Sequence, residues 1–74
     1  MPHAPMNASD VDSIVRDVIV HYGLPFTVVG VAESPAGWNI QVRAGTGGLL
    51  RFAIPHGRPT ATRIAIQQHL ERHS

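Results

Sequence analysis

The hydrophobic residues near the start of the chain recur with the period of an amphipathic helix. At about 100° per residue they fall on one arc, and polar residues lie opposite. The arc consists of Val11, Ile14, Val15, Val18, Ile19 and Tyr22. Ser9 or Asp10 is predicted to cap the first turn, because either side chain can accept its unpaired N–H groups. Gly23 and Pro25 are predicted to end the helix.

The next part of the chain changes to the two-residue period of β-strands, with turn residues between three short runs. The predicted strands span residues 26–33, 38–44 and 49–54. In the second strand, alternate residues from Trp38 to Ala44 are apolar, so one face is predicted to be buried.

A three-residue loop over 45–47 gives the second and third strands a consistent register. The predicted apolar pairs are Val42 with Leu50, Ile40 with Phe52, and Trp38 with Ile54. A four-residue loop would place Arg51 beside Val42 in the core, so we expect the shorter loop. Gly47 is its predicted left-handed residue.

The first strand has a less regular pattern, and its register is predicted from one charged residue. The residues predicted to face the core are Phe26, Val28, Gly30 and Ala32. This register keeps Glu33 out of the core, but it leaves Val29 and Val31 on the open face.

Pro59 favours the first turn of a second helix, which is predicted to continue to about residue 73. Its apolar residues form two nearly opposite arcs, Ala61, Ile64 and Ala65 on one, and Ile66 and Leu70 on the other. One arc must pack on the sheet, so the other is predicted to be partly exposed or covered by a partner.

Together these elements predict an α+β domain with the order α-β-β-β-α. Short connections favour a three-stranded antiparallel meander with both helices packed on one face. Residues 1–8 contain two prolines and no periodicity, so they are predicted to form a flexible tail before a single domain over 9–74.

Composition excludes several functional classes. The 74 residues are 43% hydrophobic and 15% charged, with a formal net charge of +1. This balance argues against an acidic disordered chain and a highly basic nucleic-acid binder, and the absence of cysteine excludes a disulfide framework. Without a signal-peptide pattern or an apolar run of about 20 residues, we expect a cytoplasmic protein with no membrane span. We also expect no cofactor.

The turn before the second helix holds the first candidate for chemistry. The group consists of His56, Gly57, Arg58 and Arg63. Free N–H groups and the helix dipole make the start of a helix suitable for a phosphate. His56 is the candidate catalytic acid or base, because an imidazole pKa of about 6.5 suits neutral pH. The alternative is an exposed turn with ordinary charges.

Two further histidines have the spacing of metal ligands. His69 and His73 lie four residues apart on one helical face. A zinc site needs at least three protein ligands, however, and cationic side chains are also favoured near a helix C-terminus. We therefore predict no metal site.

The open face of the sheet is the candidate interface. It is predicted to carry Gln41 opposite Arg51 and Arg43 opposite Leu49. Mixed apolar and cationic side chains between two free strand edges favour a protein partner or a homodimer. The alternative is the ordinary half-exposed surface of a small domain.

The stretch from Phe52 to Pro59 reads Phe-Ala-Ile-Pro-His-Gly-Arg-Pro and leads into the helix. With the order of elements, it resembles the HicA-type toxin domain, a compact relative of the double-stranded-RNA-binding domain. The resemblance implies a ribonuclease that cleaves messenger RNA without a metal and is neutralised by an antitoxin. The family's catalytic Gly-Ser-His segment is replaced here by residues 33–38, Glu-Ser-Pro-Ala-Gly-Trp.

The function expected from these observations is a binding domain without catalysis of its own, for a protein partner, with RNA as a further ligand class. The alternative is a HicA-like endoribonuclease in which His56 is catalytic and Arg58 and Arg63 contact phosphate. Fold-level similarity alone does not carry an activity with it.

Overall fold

A computed structural model describes residues 6–73, and the order of their elements is the predicted α-β-β-β-α. The elements are α1 (Ala8–Tyr22), β1 (Phe26–Ser34), β2 (Gly37–Ala44), β3 (Leu49–Pro55) and α2 (Pro59–Arg72). The three strands form one antiparallel sheet in the order β1-β2-β3. Most of the predicted tail, residues 1–5, lies outside the described residues.

α1 is capped by a residue other than the predicted one. The Asn7 side chain accepts a hydrogen bond of 2.9 Å from the Asp10 N–H, and the Asp10 carboxylate accepts one of 3.0 Å from the Asn7 N–H. The prediction of Ser9 or Asp10 as the cap was wrong. The N-cap residue is Asn7, and Asp10 is the third residue of the helix, whose carboxylate bonds back to Asn7. At the other end Gly23 is left-handed, with φ 61°, as predicted.

The register of β2 and β3 is confirmed in full. The pairs are Val42 with Leu50, Ile40 with Phe52, Trp38 with Ile54, Arg43 with Leu49, and Gln41 with Arg51. The Ala44 N–H donates to the Gly48 carbonyl over 2.8 Å, which closes the three-residue loop. Gly47 has φ +96°, the left-handed conformation that the loop requires.

The predicted register of β1 was wrong beyond Val28, because the strand contains a bulge. Val28 pairs with Val42, but the next residue of β2, Gln41, pairs with Gly30. The extra residue is Val29, and each later side chain therefore changes face. Val31 is now on the face that packs against the helices, and Ala32 is on the open face.

Both helices cover the same face of the sheet, as predicted. The buried hydrophobic core consists of Val11, Val15, Val18, Phe26, Trp38, Ile40, Val42, Ile54, Ile66 and Leu70. Ile66 and Leu70 show which arc of α2 packs inward, and Thr62 is buried beside them on the same arc. Ile64, on the other arc, is 49% exposed.

Candidate functional site

The open face of the sheet brings together the four predicted interface residues. Gln41 lies opposite Arg51, and Arg43 lies opposite Leu49, on the side of the sheet that carries no helix. Leu49 is 52% exposed, although it is a large hydrophobic residue. The two exposed arginines and this leucine form a surface that is both cationic and apolar.

The middle of the open face is concave. The concavity has a volume of about 720 Å³ and is lined by residues 30–32, 39–41 and 51–53. By register, the lining residues on the open face are Gly30, Ala32, Asn39, Gln41, Arg51 and Ala53. Asn39 lies between Ala32 and Ala53, and Gln41 lies between Gly30 and Arg51, so small residues adjoin both polar side chains of the central strand. Gly30 reaches this face only because the bulge at Val29 precedes it.

The acidic residues of the chain lie elsewhere. Three are on α1, one is on α2, and Glu33 pairs with Trp38 and so shares the helix-covered face. The five are Asp10, Asp12, Asp17, Glu33 and Glu71. Within residues 6–73, α1 forms ion pairs from Asp12 to Arg16 and from Asp17 to Arg63. Arg43 and Arg51 therefore give the open face a positive potential that no carboxylate of residues 6–73 offsets on that face.

His56 joins the ends of two strands. Its Nε2 lies 2.9 Å from the Ser34 carbonyl oxygen, which can only accept, so Nε2 carries the proton. The ring also packs edge-on against Trp38, with 5.3 Å between the ring centroids. These contacts give His56 a structural role, and its catalytic role stays a prediction.

The other predicted phosphate ligands are only partly brought together. Arg58 is the N-cap residue of α2, and its side chain makes no capping hydrogen bond. Gly57 adjoins it, next to His56. Arg63 forms an ion pair with Asp17 of α1, so its charge is already partnered within the fold.

His69 and His73 lie in different surroundings near the end of α2. The His69 ring stacks on Phe52, with 4.8 Å between the centroids and 12° between the planes. Burial lowers the pKa of His69, and the positive charges of Arg72 and His73 lower it further. The described part of the chain contains no cluster of three or more side chains arranged to hold a metal ion.

Sequence reasoning missed two features that shape these surfaces. The bulge in β1 has a local signal, because a glycine inside a strand often marks a bulge. The bond from His56 to Ser34 joins residues 22 positions apart, and no local pattern predicts it.

Two buried polar atoms, Trp38 Nε1 and Thr62 Oγ1, have no hydrogen-bond partner among residues 6–73.

Comparisons of the chain with protein-family models, curated proteins and solved structures found no match. The resemblance to the HicA-type domain therefore stays a prediction, and α+β describes the class of the fold. Neither helix among the described residues has the length and apolar character needed to cross a membrane.

Proposed function

We propose that this chain is a binding domain without catalysis of its own, and that it binds an acidic protein partner through the open face of its sheet. The observation that carries the proposal is the charge of this face, where Arg43 and Arg51 lie beside exposed Leu49 and no carboxylate of the described residues joins them. Clustered like charge raises the local concentration of an oppositely charged ligand and speeds its association.

The contacts of the alternative site support structural roles instead. His56 donates Nε2–H to a backbone carbonyl and packs on Trp38. Arg63 is paired with Asp17. A phosphate ligand at the start of α2 would have to compete with this ion pair for the arginine. The HicA-like ribonuclease is for these reasons the weaker proposal.

An NMR titration of the labelled chain at low salt tests the proposal. The probes are a short acidic peptide and a structured RNA duplex of about 16 base pairs. The acidic peptide is expected to shift the amide signals of Gln41, Arg43 and Leu49, since these residues lie on the open face. Shifts confined to residues 56–63, produced by the RNA alone, would contradict it.

Two charge reversals of the same residue type separate the candidate surfaces. Arg51→Glu is expected to weaken binding of the acidic peptide about tenfold, because it removes a cation and adds a repulsive charge. Arg58→Glu makes the same change of net charge at the start of α2, and it is expected to leave the affinity within about twofold. The reverse order of effects would favour the site near His56.

A further inference from the structure

The outer edge of β3 points to the way in which the partner binds. We infer that this edge takes up an extended segment of the partner as a fourth strand, and that the segment alternates acidic and apolar residues. The inference rests on the proposed function and names the backbone geometry and side-chain chemistry of the partner. It depends on a regular free edge, on the charge beside that edge, and on the flank of α2 above it.

The hairpin determines which backbone groups of β3 lie on the free edge. The Ala44 N–H donates to the Gly48 carbonyl, so β3 residues an even number of positions after Gly48 also bond to β2. The residues that bond to β2 are Leu50, Phe52 and Ile54. The residues that turn their N–H and carbonyl groups outward are Leu49, Arg51 and Ala53. A row of evenly spaced donors and acceptors is what an added strand requires.

The outer edge of β1 does not offer an equivalent row. The bulge at Val29 breaks its spacing, so an added strand could not bond along it in one register. β3 pairs regularly with β2 from Leu49 to Pro55. Pro55 occupies an outward position, where its missing N–H removes no bond to β2.

Charge defines one side of the added strand. Side chains of neighbouring strands that lie opposite each other share a face, so an added strand would place alternate side chains beside Leu49, Arg51 and Ala53. Arg51 stands in the middle of this row, and Arg43 is one strand further away. An acidic residue opposite Arg51 is the complementary choice.

The flank of α2 that faces away from α1 determines which side chains suit the other face of the added strand. Arg63 and Gln67 contact Asp17 and Tyr22 of α1, so they mark the flank that faces α1. The opposite flank, by helical geometry, carries the row Ala61, Ala65 and His69. His69 stacks on Phe52, which places this row along β3. The two alanines leave room for apolar side chains of an added strand.

None of the described strands in a second copy of this chain is a match for this edge. The described strands contain one acidic residue, Glu33, and β3 contains none. Symmetric pairing of two β3 edges centred on Arg51 would set two guanidinium groups directly opposite each other, which is unfavourable. The charge of the described strands therefore favours a different, acidic chain.

Amide hydrogen exchange on the labelled full chain at low salt tests the inference. The probe is a short peptide of alternating Glu and Val, and a Gln-Val peptide is the neutral control. With the Glu-Val peptide, exchange at Leu49, Arg51 and Ala53 is expected to slow about tenfold or more. Exchange at Leu50 and Phe52, which already bond to β2, is expected to stay unchanged.

Two matched proline substitutions and one charge reversal complete the test. Ala53→Pro removes an outward N–H from β3 and is expected to weaken the Glu-Val peptide about tenfold. Glu33→Pro removes an outward N–H from the opposite edge, and it is expected to bind as well as Glu33→Gln, which makes the same change of charge and keeps the N–H. Should Ala53→Pro fail to fold, Arg51→Glu is a second test, because it is expected to shift preference to a Lys-Val peptide.

The outcomes distinguish the inference from the proposed function. Peptide shifts across the open face without slower exchange at the β3 edge would overturn the added strand and leave the binding face in place. If no peptide produced a response, and RNA shifted the signals of residues 56–63, the added strand and the proposed function would both be overturned. Slower exchange at the β3 edge that depends on protein concentration alone would show self-pairing and overturn the acidic partner.

Discussion

α1 and α2 pack on the same face of the sheet, but they are stabilised in different ways. α1 has a reciprocal side-chain cap at its start and a left-handed Gly23 at its end. Its buried residues all come from one apolar arc. α2 begins at Pro59 without a side-chain capping bond, and its apolar residues are divided between two arcs.

The difference shows that α1 is specified by its own sequence, whereas α2 depends on its neighbours. Short helices are marginal in water and gain most of their stability from packing. α2 is held by its buried residues, by the ion pair from Arg63 to Asp17, and by a 3.0 Å hydrogen bond from the Tyr22 hydroxyl to Gln67. Four substitution experiments test this difference between the helices.

The largest expected effect comes from removing the main anchor of α2. Leu70→Ala is expected to destabilise the domain by about 2–5 kcal/mol, because Leu70 is fully buried and a cavity would remain. Ile64→Ala, on the exposed arc of the same helix, is expected to cost less than about 1 kcal/mol. Urea denaturation measures both, and similar losses would mean that the inward arc is assigned wrongly.

A smaller effect, an increase in stability, is expected from removing a buried hydroxyl group on α2. Thr62 is 2% exposed and its Oγ1 has no partner among the described residues. Thr62→Val keeps the shape and removes the unpaired hydroxyl, so it is expected to stabilise the domain by about 1 kcal/mol. Thr60→Val, an exposed change in the same turn, serves as the control. A loss of stability in Thr62→Val would reveal a partner for the hydroxyl.

The caps allow a reciprocal comparison of the two helices. Asn7→Ala is expected to cost about 1 kcal/mol, because it removes the acceptor for the Asp10 N–H. Arg58→Asn supplies a capping side chain that α2 lacks and is expected to stabilise by about 0.5–1 kcal/mol. Thermal unfolding of both variants measures the effects, and a neutral Asn7→Ala would contradict local specification of α1.

The smallest expected effect is a pH dependence that belongs to α2. Burial, with Arg72 and His73, lowers the pKa of His69 from 6.5, so the unfolded chain binds more protons than the folded one between the two pKa values. The contribution of His69 to stability is complete above about pH 6.5 and falls as the pH decreases through that value.

The comparison of wild type with His69→Gln isolates this contribution. Urea midpoints measured from about pH 7.5 to about pH 5.5 are expected to fall more steeply in the wild type, because the two proteins differ only in the side chain at position 69. Parallel curves would show that stacking on Phe52 does not depend on the charge of His69.

Local patterns were sufficient for the apolar face and the end of α1 and for the β2–β3 hairpin, although they missed Asn7 as the cap of α1. The arc from Val11 to Val18 lies on contiguous turns, and the register of the hairpin follows from a loop that only a left-handed Gly47 allows. The predicted interface residues came together for the same reason, since register alone decides that Gln41 faces Arg51.

The sequence was insufficient where contacts between distant residues, or an irregular backbone, determine which side chains face the core. Keeping Glu33 out of the core was the reason for the predicted β1 register, but the bulge lets Glu33 share the core face at its exposed end. Which arc of α2 is buried depends on the side of the helix that packs on the sheet. The spacing of apolar residues within α2 does not determine that side. The bond from His56 to Ser34 likewise exists only after both strands are in place.

The bulge at Val29 also limits how far the sheet can grow. A sheet with two regular edges can add chains on both sides, which is the geometry of an open-ended fibril. This sheet has a regular edge at β3 and an interrupted one at β1. Strand pairing is therefore favoured on one side of this sheet only, and a single extra residue in β1 gives it that direction.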